Sequence, residues 1–265
     1  MTLKIKHKTI YYFETGVSSG LQQMRKVPQS DDLQKVLDWT VSLSGAKRDF
    51  TFKDHFGNHV ELLSLIPGIK KLSIECKGTV DVQYKNGISS KYSKELPLWC
   101  YKRHTQVVIA GPETRKILKH LGQYQDVGFF HRLMKLIRDK VEYEKDRTDV
   151  NTNSEQALKQ GKGVCQDFTH IFLACSRSMG FPARYISGFL LQNKQMYQDA
   201  MHAWAEVFLD GLGWVGFDTA NGISPDEKYV KVAKGLDYFD AAPIKGARFG
   251  GKKEKMFVKI EVAEQ

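Results

Sequence analysis

Apolar and polar residues alternate along much of the first 95 residues of the chain. In residues 37–43 every odd position is apolar and every even position is polar, which is typical of a strand with one buried face. The same alternation recurs in residues 72–76 and 80–84. Lys77-Gly78, which lies between these two runs, predicts a bend.

A turn is predicted in the polar segment 54–59, which lies between two apolar stretches. Gly57 and Asn58 tolerate positive φ angles, so we expect this segment to form the tip of a hairpin. Several short strands separated by turns favour antiparallel sheets packed as a small sandwich. Residues 1–95 are therefore predicted to form an N-terminal antiparallel β-sandwich domain.

The periodicity becomes helical after residues 96–125, which we interpret as a connecting segment. Four apolar residues then recur at spacings of four, three and four, as on one stripe of a helix: Phe130, Met134, Ile137 and Val141. The polar stretch 144–154 follows, and it predicts a loop that ends in a helix N-cap.

A helix and several strands are predicted in the remaining sequence. The loop Gly161-Lys162-Gly163 and the apolar stripe after it place Cys165 at or near the start of a helix, which Gly180-Phe181-Pro182 closes. Strands are predicted at residues 183–190, 203–209, 214–217 and 256–262. Residues 126–265 are thus predicted to form a second domain, and the chain to be an α+β protein.

The composition is that of a globular protein. A chain of 265 residues with 42% hydrophobic residues can build one large core or two smaller ones. The first eight residues alternate apolar and charged side chains, so we expect no signal peptide. No later run approaches the roughly 20 apolar residues of a membrane helix. These features predict a soluble cytoplasmic protein with no membrane partner.

The charge does not indicate a nucleic-acid-binding protein. The net charge is +10, but the lysines and arginines are scattered along the whole chain, which favours a solvated basic surface. No recognition helix or aromatic platform accompanies them. We therefore expect no nucleic-acid partner.

One cysteine lies where a thiol can become a nucleophile. The four cysteines are too sparse for a disulfide framework and contain no C-x2-C pattern, so reduced thiols are expected. Among them, Cys165 follows a glycine loop at a helix start. A helix N-terminus and a nearby imidazolium lower the pKa of a thiol, and the free N–H groups there can stabilise an oxyanion.

Two further residues could complete a catalytic triad with Cys165. His202 begins a predicted strand 37 positions later (202 − 165), and Asp218 ends the next predicted strand. Hairpin pairing of those strands would bring the imidazole and the carboxylate together, with Asp218 orienting the ring. Each residue alone has a simpler interpretation: a core cysteine, a structural histidine, a turn-forming aspartate. Their order along the chain is what favours the triad.

Several motifs, in order, resemble the transglutaminase-like superfamily. They span residues 163–168, 180–188, 202–208 and 213–218, and residues 36–39 and 54–58 are similar to the N-terminal region of bacterial transglutaminase-like proteins. A tail motif at 235–246 resembles the family's closing segment. The resemblance implies a papain-like transglutaminase core with a Cys-His-Asp triad at Cys165, His202 and Asp218.

The chain departs from the family pattern at two positions. Thr219-Ala220 follows the aspartate where many members have Pro-Thr, and Leu236 stands where a basic residue is common. Both departures are expected to affect the substrate cleft rather than the triad.

No cofactor or metal is expected. His55 and His59 flank a predicted turn instead of sharing a helix face, so a metal pair is not predicted. The chain also lacks an EF-hand loop and a dense carboxylate cluster of the kind that would suggest the calcium dependence of animal transglutaminases. The expected partner is a peptide or protein substrate, and the oligomeric state is left open.

Three functions remain compatible with the sequence. The leading hypothesis is a peptidase or amidase in which Cys165 forms a thioester that water hydrolyses. A transglutaminase would use the same thioester but pass the acyl group to a lysine amine, giving an isopeptide bond. A non-catalytic peptide- or protein-binding module is the third. The sequence alone does not decide between water and an amine as acceptor.

Overall fold

The computed structural model describes residues 1–83, 86–89, 96–121, 126–192 and 198–265. The strands, in chain order, are Thr2–Tyr12 (β1), Val17–Met24 (β2), Gln34–Ser44 (β3), Ala46–Lys53 (β4), His59–Leu65 (β5), Lys71–Val82 (β6), Ile88–Ser89 (β7), Glu142–Tyr143 (β8), Lys162–Gly163 (β9), Ala183–Leu190 (β10), His202–Leu209 (β11), Gly213–Phe217 (β12), Tyr229–Gly235 (β13), Ile244–Gly250 (β14) and Lys255–Glu264 (β15). The helices are Pro112–Leu118 (α1), Val127–Lys140 (α2), Ser154–Gln160 (α3), Cys165–Ser178 (α4) and Tyr238–Ala241 (α5), with a 3-10 helix at Leu98–Lys102.

Two four-stranded sheets form the predicted sandwich. Their strand orders are β15-β1-β6-β3 and β14-β2-β5-β4, and neighbouring strands in both are antiparallel. Buried side chains from the two sheets share one core, which includes Tyr11, Phe13, Leu63, Leu72 and Ile74. The alternation in the sequence arises because each strand turns one face to this core and the other to solvent.

The last two strands belong to the sandwich by hydrogen bonding. β15 pairs with β1 from Leu3↔Glu264 to Tyr12↔Lys255, and β14 pairs with β2. From its local pattern, this segment belongs to the second predicted domain, residues 126–265. The strand itself was predicted from its local pattern, but its partner lies about 250 residues earlier, and pairing over that separation leaves no local signal.

The second half of the chain forms a five-stranded sheet together with β7, which comes from the segment predicted as part of the sandwich, and a central helix packs against this sheet. The strand order is β13-β10-β11-β12-β7, with antiparallel neighbours. Phe168, Ile171 and Phe172 of α4 share a core with Ala205 of β11 and Phe217 of β12. The predicted α+β class is confirmed, as are the helix at Cys165 and the strand at 183–190.

The segment predicted as a connection contains packed structure. Val107, Val108 and Ile117 are buried in the same core as α4, and the carboxylate of Glu155 accepts hydrogen bonds from the amides of Gly111 and Thr114 at the start of α1. Residues 122–125 of the segment lie outside the described part of the chain. A helix of seven residues is too short to produce a clear periodic pattern.

Two local expectations within the sandwich were wrong. β6 runs without a bend through Lys77-Gly78, and Gly78 is there because a Cβ would lie 2.2 Å from the carbonyl oxygen of Asp38. A bulge in β3 at this point also turns Leu37 outward, leaving it 52% exposed. Tyr84, at the end of the second predicted run, lies outside the described residues.

The sandwich and the second sheet share a further core. Leu3, Ile5 and Ile260 of the first sheet pack with Phe189 of β10 and Val230 of β13. The first sheet is therefore covered by the second sandwich sheet at one end and by the five-stranded sheet at the other. In the parts of the chain that the structure describes, no helix combines the length and the apolarity needed to cross a bilayer.

Candidate active site

Cys165 is the first residue of α4, and the loop before it is shaped by a capping carboxylate. Asp167 accepts a hydrogen bond from the backbone N–H of Val164 at 2.8 Å and another from the Thr148 hydroxyl at 2.7 Å. Gly163 packs against the Asp167 side chain so closely that a Cβ at position 163 would lie 2.7 Å from the Cβ of Asp167. These contacts fix where the helix begins and hence where the thiol lies.

The hairpin of β11 and β12 brings His202 and Asp218 together. Ala205 pairs with Phe217, so the start of β11 and the residue after β12 lie at the same end of the hairpin. Nε2 of His202 donates a hydrogen bond to Oδ2 of Asp218 at 2.6 Å. Since Asp218 holds Nε2, Nδ1 is the ring nitrogen left for the Cys165 thiol, which lies close enough to His202 to raise the pKa of the imidazole.

Asp218 is fully buried and has more than one donor. The Tyr229 hydroxyl and the side-chain amide of Asn221 each donate to Oδ2 at 2.7 Å, and the backbone N–H of Asn221 donates to Oδ1 at 3.2 Å. A carboxylate that accepts this many hydrogen bonds is held in one orientation and kept ionised.

The electrostatics of the site favour a protonated His202 beside an ionised Asp218. Burial disfavours the imidazolium, but the Asp218 carboxylate and, after it, Cys165 outweigh burial and raise the pKa of His202 well above its ordinary 6.5. Burial likewise opposes the charge of Asp218, yet His202 and the hydrogen bonds from Tyr229 and Asn221 hold the pKa of that carboxyl below its usual range. The site therefore stabilises a protonated imidazole beside the thiol.

A cavity of about 310 Å³ connects this group to the sandwich. Val164, Cys165 and Gln166 at the start of α4 form one wall together with Tyr185 and His202. Strands β1 and β15 form the opposite wall. Its volume lies at the lower end of the range for small-ligand sites, about 300–1,000 Å³.

The four cysteines differ in exposure. Cys165 is partly exposed and lines the cavity, whereas Cys76, Cys100 and Cys175 are buried. Burial raises the pKa of Cys76 to about 11 and also raises the pKa of Cys175. Cys76 and Cys175 are therefore poor nucleophiles. Cys175 lies on the apolar stripe of α4, as predicted.

Some residues at the site were not identified from the sequence. Tyr229 comes from β13, whose position beside β10 depends on long-range pairing. Asn221 follows Asp218 in a turn, and an Asn three positions after an Asp is well placed to donate to it. The two departures from the family pattern, Thr219 and Leu236, do not line the cavity.

The described residues contain no cluster of three or more His, Cys, Asp or Glu side chains with the geometry of a metal site. His55 and His59 flank the hairpin between β4 and β5, where His59 lies 3.7 Å from Glu61 and His55 packs against Phe56. Their neighbours are thus a carboxylate and an aromatic ring.

Family models match both halves of the chain. Residues 116–219 match the transglutaminase-like superfamily, and residues 3–81 match the bacterial transglutaminase-like N-terminal region. The chain therefore combines a transglutaminase-like core with the N-terminal region of bacterial transglutaminase-like proteins. The matched core includes all three residues of the candidate triad, and this family is one of cysteine-dependent acyl transfer.

Relatives in this family match over most of their length. An uncharacterized protein of Mycobacterium leprae is 26% identical, with 98% of each chain covered. One of Mycobacterium tuberculosis is 24% identical, covering 92% of this chain and 86% of the relative. Among solved structures, a "putative cysteine protease" from Cytophaga hutchinsonii has a TM-score of 0.81 at 22% identity, covering 99% of this chain and 90% of that one. The sandwich and the core therefore occur together in another chain of the same fold.

Proposed function

We propose that this transglutaminase-like protein is a thiol-dependent peptidase or amidase, with Cys165 as nucleophile, His202 as general base and acid, and Asp218 as the residue that orients His202. The 2.6 Å contact between His202 and Asp218, at a cavity that Cys165 lines, is the observation that carries the proposal. The predicted cytoplasmic location, where thiols stay reduced, suits this chemistry.

The first half of the reaction forms a thioester. The Cys165 thiolate attacks the carbonyl carbon of the substrate amide, and the carbonyl π electrons move to oxygen. Backbone N–H groups at the start of α4 stabilise this oxyanion. When the tetrahedral intermediate collapses, the C–N bond breaks and His202 donates its proton to the leaving amine.

The second half releases the acid. Water loses a proton to His202 as its oxygen attacks the thioester carbonyl, and collapse of the intermediate breaks the C–S bond. The carboxylic acid leaves, and the thiolate and imidazolium are restored. Asp218 stays ionised throughout, since its role is to orient the ring and stabilise its charge.

The acceptor is tested by offering water and an amine together. The protein is incubated with a glutamine-containing peptide and a labelled primary amine, and acid formation and amine incorporation are followed by mass spectrometry. We expect acid to form faster than the amide adduct, with both products absent in Cys165→Ala. Faster amine incorporation would identify a cross-linking transglutaminase instead. Products that persist unchanged in both Cys165→Ala and His202→Ala would contradict thiol catalysis, and no turnover on a panel of peptide amides would leave a binding module.

A further inference from the structure

The sandwich contributes a polar group to the wall of the active-site cavity. On β1 the buried face carries Leu3 and Ile5 at one end and Tyr11 at the other, all apolar or aromatic. Between them the same face carries His7 and Thr9, which are 2% and 1% exposed. Both residues line the cavity that Cys165 also lines. The row of apolar contacts is thus interrupted where it faces the site.

Lys26 completes this polar group. It follows β2, is 1% exposed and lines the same cavity. Its Nζ donates to the Thr9 hydroxyl at 2.5 Å and to Nε2 of His7 at 3.2 Å. His7 is neutral here, because burial and the neighbouring ammonium hold its pKa well below the ordinary value. Both partners of Lys26 are therefore uncharged.

The other charged side chains of the cavity wall have counter-ions. Asp199 pairs with Lys145 at 2.7 Å, and Glu254 pairs with Arg248 at 2.6 Å. His202 pairs with Asp218. Across the described residues, Lys26 has no carboxylate within ion-pair distance. Lys26 therefore leaves one uncompensated positive charge on the sandwich side of the cavity wall.

An ammonium buried without a counter-ion is costly, and an anion placed beside it offsets that cost. Burial lowers the pKa of Lys26 to about 8, so the side chain is still mostly protonated near neutral pH. The interaction of an anion with it is stronger in a cavity than in water, because solvent screening is reduced there. An apolar substrate would gain nothing from this residue.

We propose that Lys26, held by Thr9 and His7, recognises a carboxylate of the substrate, so that the preferred acyl donor is an acidic peptide with a glutamate-like side chain close to the scissile amide. This inference rests on the proposed function and assigns a role in specificity to the N-terminal sandwich. Lys26 contacts no reacting atom in this account and acts through binding.

The test uses two short peptidyl chloromethyl ketones that differ only in one side chain, glutamate against glutamine, placed next to the ketone or one residue earlier. Displacement of chloride by the Cys165 thiolate gives a stable thioether, so the second-order labelling rate reports access to the site. We expect the glutamate probe to label the wild-type protein about tenfold faster than the glutamine probe at one of the two positions. In Lys26→Met this ratio should fall to about one, and Lys26→Arg should restore part of it.

A matched variant separates local recognition from net charge. Lys8 lies on β1, is partly exposed and has its ammonium 3.3 Å from Glu75. Lys8→Met removes the same charge and should keep the wild-type ratio. Equal labelling by both probes in the wild type overturns the inference without use of any variant, and so does a ratio that Lys26→Met leaves intact or that Lys8→Met also abolishes. Failure of both probes to label Cys165 at all contradicts the proposed function instead, so the two failures are distinguishable.

Discussion

Nε2 of His202 and Oδ2 of Asp218 lie 2.6 Å apart where β11 begins and β12 ends, although the two residues are 16 positions apart in the chain. The hairpin of β11 and β12 creates this proximity, and the start of α4 adds Cys165 from the other side. Since Asp218 occupies one ring nitrogen, it determines which nitrogen serves the thiol.

Replacing Asp218 by asparagine should nearly abolish turnover. The amide keeps the shape but cannot hold the same tautomer or stabilise the imidazolium, and comparable changes in serine-protease triads cost about 10⁴-fold in kcat. The pKa of His202 should also fall, because the Asp218 carboxylate is what holds it high against burial. The alkaline limb of kcat/KM should therefore move to lower pH in Asp218→Asn. A profile with unchanged limbs would show that Asp218 does not act through His202.

Tyr229 should act as a positioning residue for Asp218. Tyr229→Phe removes a donor at 2.7 Å from a buried carboxylate, and hydrogen bonds to charged groups contribute about 1.5–3 kcal/mol. We expect kcat/KM to fall about tenfold. Because the hydrogen bond from Tyr229 lowers the pKa of Asp218, its loss should raise that pKa and shift the acidic limb of the pH profile of kcat/KM to higher pH. Tyr12→Phe, at an exposed tyrosine on β1, should change neither quantity. A loss of activity without a shift of the acidic limb would indicate a purely structural effect.

Gly163→Ala should disturb the start of α4. The added methyl would lie 2.7 Å from Cβ of Asp167, and such overpacking costs about 1–3 kcal/mol. We expect a lower free energy of unfolding in denaturant titrations and slower labelling of Cys165. Gly128→Ala is the control, since its nearest neighbour would be 3.4 Å away and alanine favours the first turn of α2. Equal stability of the two variants would rule out the steric account.

A buried ion group should stabilise the five-stranded sheet. Glu206 of β11 lies 2.5 Å from Arg184 of β10 and 2.9 Å from Lys231 of β13. Glu206→Gln leaves Arg184 without its carboxylate and Lys231 with only Asp31, at 3.6 Å, and breaking such a buried group costs about 3–5 kcal/mol of the free energy of unfolding. Glu113→Gln, which breaks an exposed pair with Lys116, should change stability by less than about 0.5 kcal/mol.

The contribution of Glu206 should also depend on pH. Burial opposes its charge, but Arg184 and Lys231 lower its pKa in the folded protein from 4.5 to about 2. A group with a depressed folded-state pKa stabilises above its unfolded value and loses that contribution as pH falls through the folded value. The stability difference between wild type and Glu206→Gln should therefore be full above pH 4.5 and shrink as pH falls toward 2. A difference that stays constant over this range would contradict the assignment.

The sequence predicted those features that are encoded locally. The period of two along the sandwich strands, the stripe after Cys165 and the predicted hairpin of the strands at 203–209 and 214–217 each depend on residues close together in the chain. Each has its counterpart in the structure. The candidate triad could be assembled because its members lie at the ends of consecutive elements. Elements that follow one another in the chain usually lie side by side, so the positions of these ends already indicate that the three residues are close together.

Features that depend on distant pairing were not predicted. β14 and β15 join sheets begun by the first strands. A bulge at Leu37 exposes that side chain, and the carbonyl of Asp38 leaves room only for a glycine at position 78. Tyr229 and Lys26 reach the site from elements far from Cys165 in sequence, so neither could be placed beside it from spacing. In the sequence, Tyr229 has the features of a residue in an ordinary strand, and Lys26 those of an ordinary basic residue.

The most direct test of the account is the rate at which a thiol-directed amide mimic labels each cysteine, located by mass spectrometry in the wild type and in His202→Ala. We predict labelling at Cys165, with a rate that falls at least about tenfold when His202 is removed, since the imidazolium stabilises the reactive thiolate. Labelling at Cys76, Cys100 or Cys175 in preference to Cys165, or an equal rate in His202→Ala, would contradict the assignment of Cys165 as an activated nucleophile.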